Sequence, residues 1–216
     1  MTYTIDSLYI KKIAYDLMLR EGFTTLPINA IHSLVERHYY IRSYENIYEW
    51  DVDPEVIIRA YGDAFVYWTG CEETPYGLGI NMSCNLRERN WTIMHELAHI
   101  ELGHVTDVMG AAGELAPAQW AEEEVEMFCQ YVMCPDVVLK ELGIKKAQDI
   151  YNFCMIPYQK AMDKEKYFRG MEYKFRSFPP IKTPTEQLLL HNFSDYINRI
   201  NAYQHGLLEF SCELCF

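Results

Sequence analysis

The sequence predicts an α+β fold, a small β-sheet packed against one buried helix, with additional helices before and after. Three observations predict it. Aromatic and β-branched runs separated by turn residues are confined to residues 39–82. From Asn85 onward the pattern becomes helical. The first helix of that second half is apolar nearly all round, which marks a helix enclosed by its neighbours.

Taken in order, Ser7 to Leu19 reads as an amphipathic helix capped by Ser7, with Gly22 just past its end. A second helix is expected from near Pro27, acceptable in a first helical turn, to about His38. Tyr39 to Tyr44 reads as a strand, and so do Ala64 to Thr69 and Tyr76 to Met82. The turn-rich stretch Gly70 to Gly77 makes the last two a hairpin. Asn85 with Glu88 resembles a capping box, and Gly103 is a natural stop. After a small-residue loop, Gly110 to Pro117, a further helix spans about Ala118 to Met133, with Pro135 beyond it. The chain stays helical and mixed in charge to about Arg176, and Phe178 to Pro184 is a linker by composition. This divides the chain into a domain over 1–178 and a linker with C-terminal extension over 179–216. Within the domain a core covers about 60–138 and a basic helical segment about 140–178.

Composition narrows the function classes. Of 216 residues, 50% are hydrophobic and 14% aromatic, which suits a packed core. Asp6, Lys11, Lys12 and Asp16 interrupt the N-terminal region, so no signal-peptide apolar stretch forms there. The longest uncharged runs, Gly22 to Val35 and Thr74 to Leu86, are too short and polar for a bilayer, so a cytoplasmic location is expected. The seven scattered cysteines are expected to be free thiols. Cys212 and Cys215 form a CxxC with no second pair to complete a zinc ribbon, and read as incidental. The net charge of -12 argues against nucleic acid as the main ligand. It is unevenly spread: residues 1–139 hold 8 Lys and Arg against 22 Asp and Glu, whereas 140–182 hold 10 against 5.

The chemistry centres on His95-Glu96-Leu97-Ala98-His99. On a helix, positions i and i+4 share a face, so two imidazoles converge on one metal ion. Glu96, beside the first ligand, can reach a metal-bound water without itself ligating. At ~100° per residue, His95 and His99 lie with Trp91, Thr92, Ala98 and Leu102, while Ile93, Met94, Leu97 and Ile100 cover the opposite side. Histidines on a helix buried all round need a partner, because an unsatisfied polar group there costs roughly 1–3 kcal/mol.

His104 projects to the opposite side of that helix and follows Gly103, so it reads as a helix-end residue. The expected third ligand is a carboxylate on the following helix. Glu124 sits in an apolar stripe with Trp120, Met127, Phe128 and Tyr131, whereas Glu122, Glu123 and Glu126 project to a solvated face. A carboxylate on a core-facing stripe must be paired or bind a cation. Two histidines and a glutamate leave a fourth position open, the arrangement of catalytic zinc, so one Zn2+ per chain is expected. Glu96 would then be the general base and acid. Tyr131 and Tyr76 are the candidates for a second oxyanion stabiliser.

These residues resemble the ImmA/IrrE-type metallopeptidases of bacteria and their mobile elements. The resemblance rests on Ile80-Asn81, on Arg89 through His99 with Leu102-Gly103-His104, and on Glu124-Val-Glu-Met-Phe128 through Val132-Met-Cys-Pro135. This last stretch is similar to the family's E-A-N-x-F-A segment ending in L-L-M-P. It covers about residues 76–135 and carries metal ligation onto His95, His99 and Glu124, and the acid/base role onto Glu96. Val125, Glu126, Cys129 and Cys134 depart from the family's usual residues, and none of them is an expected ligand. The resemblance implies a gluzincin-like, intracellular zinc endopeptidase that cleaves a helix-turn-helix repressor and so takes part in transcription regulation.

Two other readings compete. One is a non-proteolytic, zinc-containing regulatory module that binds and sequesters a repressor; Glu96 beside a ligand argues against it. The other is DNA binding through the basic segment, which the acidic remainder disfavours. For the peptidase, a substrate strand is expected to add along the edge of Tyr76 to Met82.

Overall fold

The structure, a computed structural model, describes residues 5–31, 39–44, 53–105, 119–174 and 182–204. The 32–38 part of the helix expected from Pro27 to His38, the loop over 110–117, most of the 178–184 linker and the Cys212/Cys215 pair lie outside these residues. The described chain is α+β, with one three-stranded sheet and mostly helices. Among the described residues no helix is long and apolar enough to cross a membrane.

Helix α1 spans Ser7–Arg20. Its cap is Asp6 rather than Ser7: the carboxylate accepts from the Leu8 and Tyr9 amides, satisfying two amides of the first turn. Ile10, Ala14, Leu17 and Met18 are buried at helical spacing. The helix ends in a Schellman turn, Gly22 at φ 68° and the Phe23 amide donating to the Met18 carbonyl. Beyond it, Pro27 follows a cis bond from Leu26 in irregular chain, and helical structure first appears at Ala30.

Strand β1 spans Tyr40–Ser43, β2 Ala64–Trp68 and β3 Tyr76–Ile80. The expected β2–β3 hairpin forms, antiparallel with Val66 opposite Leu78. β1 joins the other side of β3 in parallel, with Ile41 opposite Leu78. β3 is therefore the central strand of the order β1-β3-β2, and its edges are both taken. A substrate strand cannot pair along residues 76–80, which corrects the docking edge expected there. Gly77 to Ile80 are all buried, Gly77 and Gly79 under the rings of Tyr67 and Phe65. A Cβ on Gly77 would sit 2.2 Å from the Tyr67 ring.

Helix α2, Pro54–Tyr61, precedes β2. Asp53 caps it through the Glu55 amide, with Pro54 in the first turn. Helix α3, Leu86–Glu101, starts at Asn85, whose side chain accepts from the Arg87 and Glu88 amides. It packs against β2 and β3 on one side and against helix α4, Gln119–Met133, on another. α4 also packs on α1, so it is sandwiched between α1 and α3.

Three helices follow: α5 (Asp136–Glu141), α6 (Ala147–Cys154) and α7 (Tyr158–Lys174). Two more, α8 (Pro184–Asn192) and α9 (Ser194–Gln204), end the described chain. Thr183 and Glu186 form a reciprocal capping box at the start of α8. α8 packs on α1, and Leu189, Phe193, Tyr196, Ile197 and Ile200 belong to the same apolar cluster as Ile10 and Leu17. The region expected to be an extension is thus part of the common core over these helices.

Candidate metal centre

His95 and His99 stand one turn apart on α3, where the sheet and α4 enclose the helix. Met94, Leu97 and Ala98 are fully buried, and His99 is 5% exposed. The two rings lie 5.1 Å apart, edge to face. Their Nε2 atoms converge on one carboxylate from α4, with Glu122 Oε2 3.1 Å from His95 and Oε1 3.5 Å from His99. One ligand atom from each of His95, His99 and Glu122 lies within 4.8 Å of the others. Two imidazoles and a carboxylate are a donor set suited to zinc, and three protein ligands leave a coordination position open.

The Nδ1 atoms face outward to different partners. His95 Nδ1 is 3.8 Å from Glu126 Oε1. Glu126 is itself held by Lys160 at 2.6 Å, and that ammonium sits over the Trp91 ring. His99 Nδ1 lies 3.2 Å from Nδ1 of His104. His104 was expected on the far side of the helix, but it belongs to this site. Gly103 takes φ 73° and the His104 amide donates to the His99 carbonyl, so the chain leaves helical geometry and turns back over His99. Projection on a helical wheel fails past that glycine.

The structure brings Glu122 to the histidines, and Glu124, the expected third ligand, is not in that group. Glu124 is buried, as its stripe required, but its Oε2 lies 3.2 Å from His104 Nε2. Within the stripe Trp120 is exposed, and the fully buried residues of α4 include Val125, Phe128, Cys129 and Val132; single-helix projection gave only a general core-facing side. It could not show that α3 approaches from beside that face, where Glu122 and Glu126 stand half-buried. Tyr131 sits in another buried cluster, with the Lys164 ammonium 5.5 Å and the Lys11 ammonium 5.8 Å from its ring. Tyr76 stacks edge to face on Tyr39 and Trp68.

Electrostatics separate the groups. Burial pushes the Glu96 carboxyl up to about 7, against the charge of His95 and a bond from the Val66 backbone. Burial, then repulsion from His95, lowers His99 to about 4 and keeps it the neutral imidazole that ligation needs. Burial also works to lower His95, but the hydrogen bond to Glu122 and the charges of Glu96, Glu122 and Glu126 outweigh it and raise His95. Glu122 is held low, first by its hydrogen bond to His95.

Compared with protein-family models, curated proteins and solved structures, the chain matches none.

Proposed function

We propose that this chain is a zinc-dependent endopeptidase with a gluzincin-like site, which hydrolyses a peptide bond in a specific protein partner. The observation that carries the reading is the convergence of His95 Nε2, His99 Nε2 and the Glu122 carboxylate beside Glu96. His95, His99 and Glu122 would hold the metal. Bound zinc supplies Lewis acidity, bringing a water to a pKa of about 7 and polarising a carbonyl.

The chain's own residues do the rest. The Glu96 carboxylate takes the proton of the attacking water on one oxygen and delivers it to the leaving amine. It is buried and accepts a hydrogen bond from the Val66 backbone. His95 and His99 would ligate through Nε2, each with its Nδ1 turned to a second partner. A helix-turn-helix repressor is the proposed partner class; the likeness of the sequence around the site to repressor-cleaving peptidases supports it, and location in the cytoplasm goes with it.

The test incubates the zinc-loaded chain with a panel of purified helix-turn-helix repressors and reads fragments by intact mass. The wild type is expected to cleave at least one at a single bond, and Glu96→Gln to bind zinc without cleaving. Fragments absent with the wild type, or equally abundant with Glu96→Gln, would overturn the reading.

A further inference from the structure

We infer that His104 and Glu124 form a positioning relay that fixes the proton on Nδ1 of His99 and so sets how tightly the centre holds its metal. The inference rests on the metal-site reading above and goes beyond it. Two contacts in series carry it. Glu124 Oε2 lies 3.2 Å from His104 Nε2, and His104 Nδ1 lies 3.2 Å from His99 Nδ1. Both relay side chains are largely enclosed, 9% exposed for His104 and 11% for Glu124. The Trp120 ring meets the His104 imidazole nearly at right angles, with ring centroids 5.6 Å apart.

Counting protons gives the direction. An ionised carboxylate only accepts, so Nε2 of His104 carries the hydrogen facing Glu124. In a neutral imidazole the other nitrogen is then bare. His104 Nδ1 is therefore an acceptor, and His99 Nδ1 must donate to it. That leaves His99 Nε2 with its lone pair toward Glu122 Oε1, 3.5 Å away. Two acceptors face each other across that gap, and a cation resolves the opposition. A ligating histidine commonly gives its second N–H to a carboxylate or carbonyl. Here a second histidine is interposed, and the Gly103 turn is what brings it within reach.

Neither His104 nor Glu124 belongs to the proposed ligand set; they act through His99, which His104 meets at Nδ1. The test measures zinc affinity of the full chain by competition with a chromophoric chelator. Wild type, His104→Ala, His104→Gln, Glu124→Leu and Glu124→Gln are compared, each with a melt to confirm folding. His104→Ala and Glu124→Leu are expected to bind zinc ~10–100-fold more weakly. Glu124→Gln, whose amide oxygen still accepts from Nε2–H, is expected to recover part of that loss. Nitrogen-15 spectra of the zinc-loaded wild type should show the His99 proton on Nδ1.

A wild type that binds zinc while all four variants match it within about twofold would overturn the relay alone. A His99 proton on Nε2 would overturn it too. A folded wild type that takes up no zinc would instead sink the metal centre, and the relay with it. Should His104→Ala fail to fold, Glu124→Leu reads the same loss, and His104→Gln, whose amide can accept from His99 and donate to Glu124, is expected to stay nearer the wild type.

Discussion

The Lys164 ammonium donates to the Asp136 carboxylate where neither side chain is more than 2% exposed. Lys11 stands 3.8 Å from the same carboxylate, and the Tyr167 hydroxyl donates to it at 3.1 Å. One acidic residue thereby ties α1, α5 and α7 together.

Replacing that carboxylate leaves a buried ammonium without its counter-charge. Asp136→Asn should cost about 3–5 kcal/mol of stability. The pH dependence follows in sign. Burial alone would push Asp136 up, but the charges of Lys164 and Lys11 and the hydrogen bond from Lys164 hold it below the usual carboxylate range. Its contribution is complete above the unfolded value of about 3.9 and is lost as pH falls through the lower folded value. Denaturant melts at neutral pH and below about pH 4 should show this acid-side loss in the wild type, and less of it in the Asn variant.

Gly103 and Gly170 give opposite outcomes for the same change. Gly103 sits at φ 73° with nothing within 4 Å of a built Cβ, so alanine there meets conformational cost alone, about 1–2 kcal/mol. Gly170 lies exposed inside α7 with equally open space, and alanine there should add about 0.5–1 kcal/mol. Thermal melts of Gly103→Ala and Gly170→Ala should move in opposite directions, by roughly 2–4 °C per kcal/mol.

The two candidate carboxylates of α4 can be separated by metal stoichiometry. Glu122→Ala removes a proposed ligand, and the protein should come off a desalting column without zinc. Glu124→Ala should still reach full occupancy when free zinc is raised, because it disturbs only the partner of His104. Elemental analysis across a zinc titration reads both, and the reverse pattern would assign ligation to Glu124.

Asn85→Ala should cost about 1 kcal/mol by freeing the Arg87 and Glu88 amides at the start of the site helix, measured by denaturant titration.

Much of the architecture was legible because it follows from short-range chemistry. Asn85 and Gly103 bracket α3, and the aromatic runs at 64–69 and 76–82 mark β2 and β3. Glu124 was correctly expected to be buried. What escaped depends on partners distant in sequence. Glu122 faces the histidines because α4 is held between α1 and α3, which no single-helix projection contains. His104 escaped because a left-handed glycine reverses the chain. α2 was missed although Asp53-Pro54 is itself a start signal, cap then first-turn proline. The position of β1 beside β3, which fills the expected docking edge, is a parallel pairing that alternation alone cannot reveal.

The contact between α1 and α8 bears on how the molecule is assembled during synthesis. Lys11 and Glu186 pair across 175 positions, and the apolar face of α1 shares its cluster with residues up to Ile200. A chain emerging N-terminus first makes α1 early and can lay α4 on it well before α8 appears, but the part of α1 that meets α8 waits for α8 to leave the ribosome. Until then that part stays open to water and to other nascent chains. Closing so long a loop is slow, which places a chaperone-sensitive interval of this protein before α8 has been made.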